Sequence, residues 1–348
     1  PVWTTLSFVF SLSMGASILI SQKVGSKEVE AGKEFAASLV KYHNVIPVLL
    51  FLFWTFASPF VYKMMGVGEN VLELCVSYTR IYAPVFLITG IGAAYSVVFQ
   101  TSNYTKPLVT YGILRSLLNI ILDYVLIFGK FGFPRMEIRG AALGTTIAEF
   151  VGAFYLFYVV IAKKDKFFTS PSWNQIVKAK FSKYAKSIKL GVNSALEDFL
   201  WNISNLFIIR ILNTIDEKAA GIYTMVFSIE VIFVVVIGAL GSSTMTVSGE
   251  ATGAKNLPLY RKVVGTAMLW SSILSAAALI ISCIIPKQIL SIFTTDKEVI
   301  EMSVIFVILV QFNLFGKSGN IVIGSGIRGY GDTRWMLITQ TIGTFMVV

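Results

Sequence analysis

NIILDYVLIFG, from Asn119 to Gly129, is the stretch that decides the fold. It closes a long apolar run, yet it carries an acid, Asp123, with no basic residue inside the stretch to compensate it. Asn119 and Asp123 stand four apart, so a helix places both side chains on one face. The next apolar run opens IRGAALGTTIAE, Ile138 to Glu149, and repeats the device: Thr145 and Glu149 are again four apart. Two neighbouring apolar helices therefore each present a polar pair. A carboxylate at bilayer depth is costly and marks a functional site by default. Spacing alone leaves a second reading open, in which Asp123 caps its helix near the water interface.

Working outward, the whole chain has the same character. Of its 348 residues 55% are hydrophobic and 14% charged, and the apolar runs reach the roughly 17–25 residues that span a bilayer as a helix. The fold class that follows is all-α, a polytopic transmembrane helical bundle. The net charge of +10 would suit a nucleic-acid partner, but the basic residues sit in the connections between apolar runs, so none is expected; membrane lipid is the expected surrounding. Cys75 and Cys283 make no disulfide framework, and His43 has no partner at ligand spacing, so neither a metal nor a cofactor is expected. A lone histidine also excludes a Ser/His/Asp catalytic set. Gly316-Lys317-Ser318 resembles the end of a nucleotide-binding loop, but Gln311 stands where its first glycine is needed. The expectation is a protein that is not an enzyme.

Ten apolar segments can be drawn, at about 2–22, 45–63, 72–102, 107–129, 138–162, 189–212, 219–248, 262–286, 301–327 and 333–348, with soft boundaries. Between the fifth and sixth lies KKDKFFTSPSWNQIVKAKFSKYAKSI, 163–188, whose lysines alternate with Trp173, Ile176, Val177, Phe181 and Tyr184. That pattern fits an amphipathic linker on a membrane surface. It divides an N-terminal lobe, 1–162, from a C-terminal lobe, 189–348. Eighteen of the 29 basic residues fall on the side of the membrane that holds loop 23–44 and the linker, against seven on the other. Loop and linker are therefore expected in the cytoplasm and the chain in the cell membrane.

An internal repeat is also visible. Ser21–Lys27 (SQKVGSK) resembles Gly249–Lys255 (GEATGAK), and Phe99–Leu108 resembles Ile327–Met336, both at an offset of 228. Equal offsets at two cytoplasmic helix ends predict lobes of parallel topology, six helices each. By that offset one helix would precede residue 1, and one and a half would follow residue 348. The opening PVWTTLSFVF, already apolar and without an initiator Met, predicts a fragment for the same reason.

This two-lobe layout resembles the multidrug and toxic compound extrusion (MATE) family of cation-coupled efflux transporters. The likeness covers essentially the whole chain. It is carried by Ser21-Gln22 with Gly25, by Asn119, Asp123 and Ile127-Phe128-Gly129, and by Gly140-Ala141-Ala142 with Thr145. In the second half it is carried by Leu190-Gly191 and by Arg328-Gly329-Tyr330-Gly331-Asp332-Thr333. In one branch of that family the N-terminal lobe holds a buried cation site made by an aspartate on the first helix, an Asn-x-x-x-Asp pair on the fifth and a threonine on the sixth. The resemblance places the pair at Asn119 and Asp123 and the threonine at Thr145; the first-helix aspartate would precede this chain. In the C-terminal lobe the likeness departs. Some members carry an acid one turn beyond Glu197, where this chain has Trp201, and another on the tenth helix, where it has Lys317. An ion pair between Glu197 and Lys317 is the expected substitute, since each would remove the other's unpaired-charge penalty.

Five acids lie inside segments: Asp123, Glu149, Glu197, Asp198 and Glu230. At roughly 2.5–3.5 kcal/mol each for lipid exposure, most must face the interior, pair or be protonated. Glu197 and Asp198 point about 100° apart, and Glu197 shares a face with Leu190 and Asn193. Glu230 stands isolated among apolar neighbours, which leaves a structural partner and a substrate contact equally open. Arg115 and Arg210, nearer segment ends, are expected to snorkel to headgroups. Glu149, Glu197, Glu230 and Lys317 are the candidates for lining a substrate cavity.

The resemblance implies secondary active multidrug efflux by alternating access. Amphiphilic or cationic organic compounds would exchange for H⁺ or Na⁺ at Asn119, Asp123 and Thr145, with Na⁺ on Asp123 in the second case. Two lobes suffice for such a path, so a monomer is expected. The alternative is a related flippase of a lipid-linked saccharide, which needs a cationic cavity to hold pyrophosphate.

Overall fold

The computed structural model describes residues 2–163, 166–215 and 217–346. Pro1, Lys164 of the linker, the side chain of Lys218 and residues 347–348 of the last apolar segment lie outside the described residues.

Among the described residues the secondary structure is helical throughout. The first half comprises α1 (Val2–Gly25), α2 (Val29–Tyr42), α3 (Val45–Met64), α4 (Glu69–Tyr82), a 3-10 turn (Ala83–Val85), α5 (Phe86–Thr101), α6 (Lys106–Phe128) and α7 (Ile138–Ala162). It continues with α8 (Trp173–Lys178), α9 (Phe181–Ile215), α10 (Glu217–Gly253), α11 (Leu257–Ile284), α12 (Pro286–Ser291), α13 (Lys297–Tyr330) and α14 (Thr333–Met346). Eight stretches are long and apolar enough to cross a membrane, and they correspond to eight of the ten apolar segments. The other two correspond to α9, whose charges include Lys183, Lys186, Lys189, Glu197 and Arg210, and to α14, with 14 described residues. The chain is a polytopic helical membrane protein. On α6, for example, Ile113, Leu117, Ile120, Tyr124 and Phe128 form an exposed apolar stripe at helical spacing, the face a lipid-immersed helix turns outward.

Three local differences from the sequence reading have physical causes. Loop 23–44 is mostly helix: Phe35, Ala36, Ala37 and Leu39 of α2 bury one face, while Glu30 and Lys33 pair at 2.7 Å on the exposed side. The segment 72–102 breaks at Ala83–Val85, because Pro84 has no N–H to continue the ladder; Thr146 of α7 donates to the neighbouring Ile81 carbonyl at 3.0 Å. The linker resolves into α8, opened by a capping box at Ser172 and Gln175, and the first turns of α9. It docks on α2 through Lys183 to Glu34 at 2.9 Å and Gln175 to Glu30 at 3.0 Å, and leaves Trp173, Val177 and Phe181 exposed.

The chain forms two compact units. Unit 1 holds the residues up to Ile20 and Glu28–Ala195; unit 2 holds Ser21–Lys27 and Leu196 onward. In unit 1, His43 is buried with one ring nitrogen 3.2 Å from the Tyr184 hydroxyl and the other 3.1 Å from the Val9 carbonyl. In unit 2 the end of α1 crosses the end of α10 with a reciprocity that exposes the repeat. A Cβ on Gly25 would strike the Glu250 carbonyl, and one on Gly253 would strike the Gln22 carbonyl. Gly25 and Gly253, like Gln22 and Glu250, are related by the offset of 228. Only residues without a Cβ allow backbones to approach so closely.

Candidate functional site

In unit 1, α6 and α7 run side by side and bring the two polar pairs together. Asn119 donates through Nδ2 to Asp123 Oδ1 at 3.1 Å and to Thr145 Oγ1 at 3.2 Å. Thr145 in turn donates to the Ala141 carbonyl at 2.9 Å. The helices pack closely here, since a Cβ on Gly144 would lie 2.5 Å from Asp123 Oδ1. Asp123 stands well before the C-cap of α6, Gly129, and its carboxylate accepts from Asn119. Its carboxylate, with the side-chain oxygens of Asn119 and Thr145, offers oxygen donors of the hard type that suit Na⁺, and the carboxylate alone can take a proton. Among the described residues no group of three His, Cys, Asp or Glu could hold a metal ion.

Glu149 joins a second network on the same helix pair. Arg115 Nη1 lies 2.7 Å from Glu149 Oε1, and the Tyr111 hydroxyl donates to Oε2 at 2.9 Å. Arg115 therefore does not snorkel to headgroups: pairing with a half-buried acid on the facing helix is the stronger demand. Asn119, Thr145, Arg115 and Glu149 line a cavity of about 510 Å³ with Tyr62 and Tyr82.

In unit 2 the expected pairing is corrected. Glu197 pairs with Arg328, both largely buried, and not with Lys317. Lys317 pairs instead with Glu230, its Nζ 2.7 Å from Oε1 and 2.8 Å from Oε2. Lys317 and Arg328 are eleven residues apart on α13, about 16 Å along the axis, so each meets a different acid. Glu230 accordingly has a partner, 1% exposed though it is. Arg328 lies in the last turn of α13, whose C-cap is the left-handed Gly331, and its guanidinium is largely buried against Glu197. Arg328 directly follows the apolar run that ends at Ile327, so a helix continued by one further turn, to Tyr330, takes Arg328 in. Glu230 and Lys317 line a cavity of about 710 Å³ with Trp201, Tyr223, Phe227 and Trp335; Glu197 is not among its lining residues.

Comparison with known proteins places these features in a family. The sequence profile described as MatE matches residues 2–125 and 194–348. A "Probable multidrug resistance protein NorM" from Thermotoga maritima is 26% identical over 336 residues, spanning 95% of this chain and 70% of that protein. The "Probable multidrug resistance protein YoeA" of Bacillus subtilis is 24% identical over 334 residues, 95% of this chain and 71% of its own. Among solved structures, an outward-facing multidrug resistance MATE family transporter of the MOP superfamily superposes with a TM-score of 0.91 at 19% identity, over 99% of this chain and 76% of that one.

Proposed function

Because the chain belongs to the MatE family, a family of transporters rather than enzymes, we propose that it is a secondary active exporter of small amphiphilic organic molecules, cationic ones included. In this reading uptake of H⁺ or Na⁺ at Asp123 drives export. The observation that carries it is the bridge from Asn119 to both Asp123 and Thr145 across α6 and α7. Protonating Asp123, or giving its charge to Na⁺, weakens the acceptor that holds the Asn119 amide. The amide then redistributes toward Thr145, and the close packing at Gly144 transmits the change to α7. Substrate affinity differs between the two states, which is what couples ion to substrate. The substrate site is exposed alternately to the two sides of the membrane. The flippase alternative is not favoured, since the Thermotoga maritima and Bacillus subtilis relatives are named as probable multidrug resistance proteins.

The test is efflux of a fluorescent lipophilic cation from cells expressing the protein, with the proton gradient and then the Na⁺ gradient collapsed. Loss of efflux under one collapse supports coupled export and identifies the ion. Efflux indifferent to both overturns the coupling.

A further inference from the structure

Each unit encloses a cavity in which the basic member of an ion pair faces the open space and its acid lies behind. In unit 2 the Lys317 side chain is 39% exposed and that of Glu230 2%. In unit 1 the figures are 41% for Arg115 and 15% for Glu149. The charges balance, but a guest meets the base first. An ammonium carries three donors and no acceptor. With the two Glu230 oxygens at 2.7 and 2.8 Å, Lys317 keeps a donor for a guest.

The surroundings of Lys317 are flat and aromatic. On α10, Tyr223, Phe227 and Glu230 follow at the four- and three-residue spacings of one helix face; on α13, Asn313, Lys317 and Asn320 do the same. Tyr223 and Phe227 are stacked, their ring centroids 6.1 Å apart and planes 13° from parallel, and Trp201 lies 6.1 Å from Phe227. The Tyr223 hydroxyl donates to Asn205 Oδ1 at 2.9 Å, which fixes the ring. Trp201, Tyr223, Phe227 and Lys317 line the same cavity, so the rings and the ammonium are offered to one guest. A cationic substituent there would face the ammonium, with Glu230 screened behind it.

We propose that the unit 2 cavity binds planar aromatic compounds bearing an anionic group, and that Lys317 is the residue that selects them. The inference takes the substrate role of this cavity from the proposed export function and narrows the guests of this cavity to anionic ones, cationic substrates binding here more weakly; it concerns binding and needs no coupling ion.

The experiment titrates the detergent-purified protein with two pyrene probes of equal chain length, one ending in a carboxylate (1-pyrenebutyrate) and one in a trimethylammonium. The variants are Lys317→Arg and the double substitution Glu230→Gln with Lys317→Met, which leaves no buried charge unpaired. The protein should bind the carboxylate at least ten-fold more tightly than the ammonium probe. Lys317→Arg should retain that ratio, and the double variant should bring it near one. Equal or stronger binding of the ammonium probe, or an unaltered ratio in the double variant, overturns the proposal. An anion preference in a protein whose efflux ignores both gradients would overturn the coupling alone.

Discussion

Asn119 spends one amide nitrogen on two acceptors, Asp123 Oδ1 on its own helix and Thr145 Oγ1 on the next. The one amide group therefore joins the Asp123 carboxylate on α6 to Thr145 on α7. Replacing Thr145 by Val keeps the shape and removes the second acceptor. The expected result is a cost of about 1 kcal/mol in stability with a marked fall in gradient-driven transport. Thermal unfolding and efflux on the same preparation check it; unchanged transport would separate Thr145 from the coupling.

The Glu197–Arg328 pair makes a different prediction. Arg328→Met strands a buried carboxylate, which costs about 3–5 kcal/mol. The melting temperature of the purified protein should fall sharply. Adding Glu197→Leu should recover most of the loss, because the double variant has no charge left to bury. A double variant no more stable than Arg328→Met would show that the loss came from something other than the stranded charge.

At the crossing of α1 and α10, Gly253→Ala sets a methyl against the Gln22 carbonyl. Overpacking of that kind costs about 1–3 kcal/mol, and Gly25→Ala should cost a similar amount for the same geometric reason. Unfolding midpoints of the two variants within a few degrees of each other, both below the parent, are expected. One neutral variant would break the reciprocity.

Membrane orientation is testable by cysteine labelling after Cys75 and Cys283 are replaced by Ser. Lys178 in the linker and Lys130 between α6 and α7 are both exposed. In intact cells a membrane-impermeant maleimide should label Lys130→Cys and spare Lys178→Cys until the cells are opened. The reverse pattern would invert the topology.

Much of this was legible in the chain. The polar pairs of α6 and α7 were visible because i, i+4 spacing within one helix needs no tertiary knowledge, and the 228-residue offset foreshadowed the glycine crossing. What the sequence withheld was axial register between distant helices. Glu230 looks isolated because its partner, Lys317, is 87 residues away. The Glu197–Lys317 pairing failed because nothing in a sequence says which turn of α13 lies level with which turn of α9. Arg115 departs from the expected snorkelling for a related reason: distance from a segment end predicts snorkelling only when no buried acid faces the base. Glu149, Glu197 and Glu230 each have a base against them, on another helix in every case.

The central claim is that Asp123 receives the driving ion. It is tested most directly by reconstituting the protein and its Asp123→Asn variant in liposomes, imposing a proton or Na⁺ gradient, and following uptake of a fluorescent amphiphile. Asn keeps the size and removes the charge. The account predicts gradient-driven transport by the parent and none by the variant, with both unfolding at similar temperatures. Full gradient-dependent transport by Asp123→Asn would contradict it.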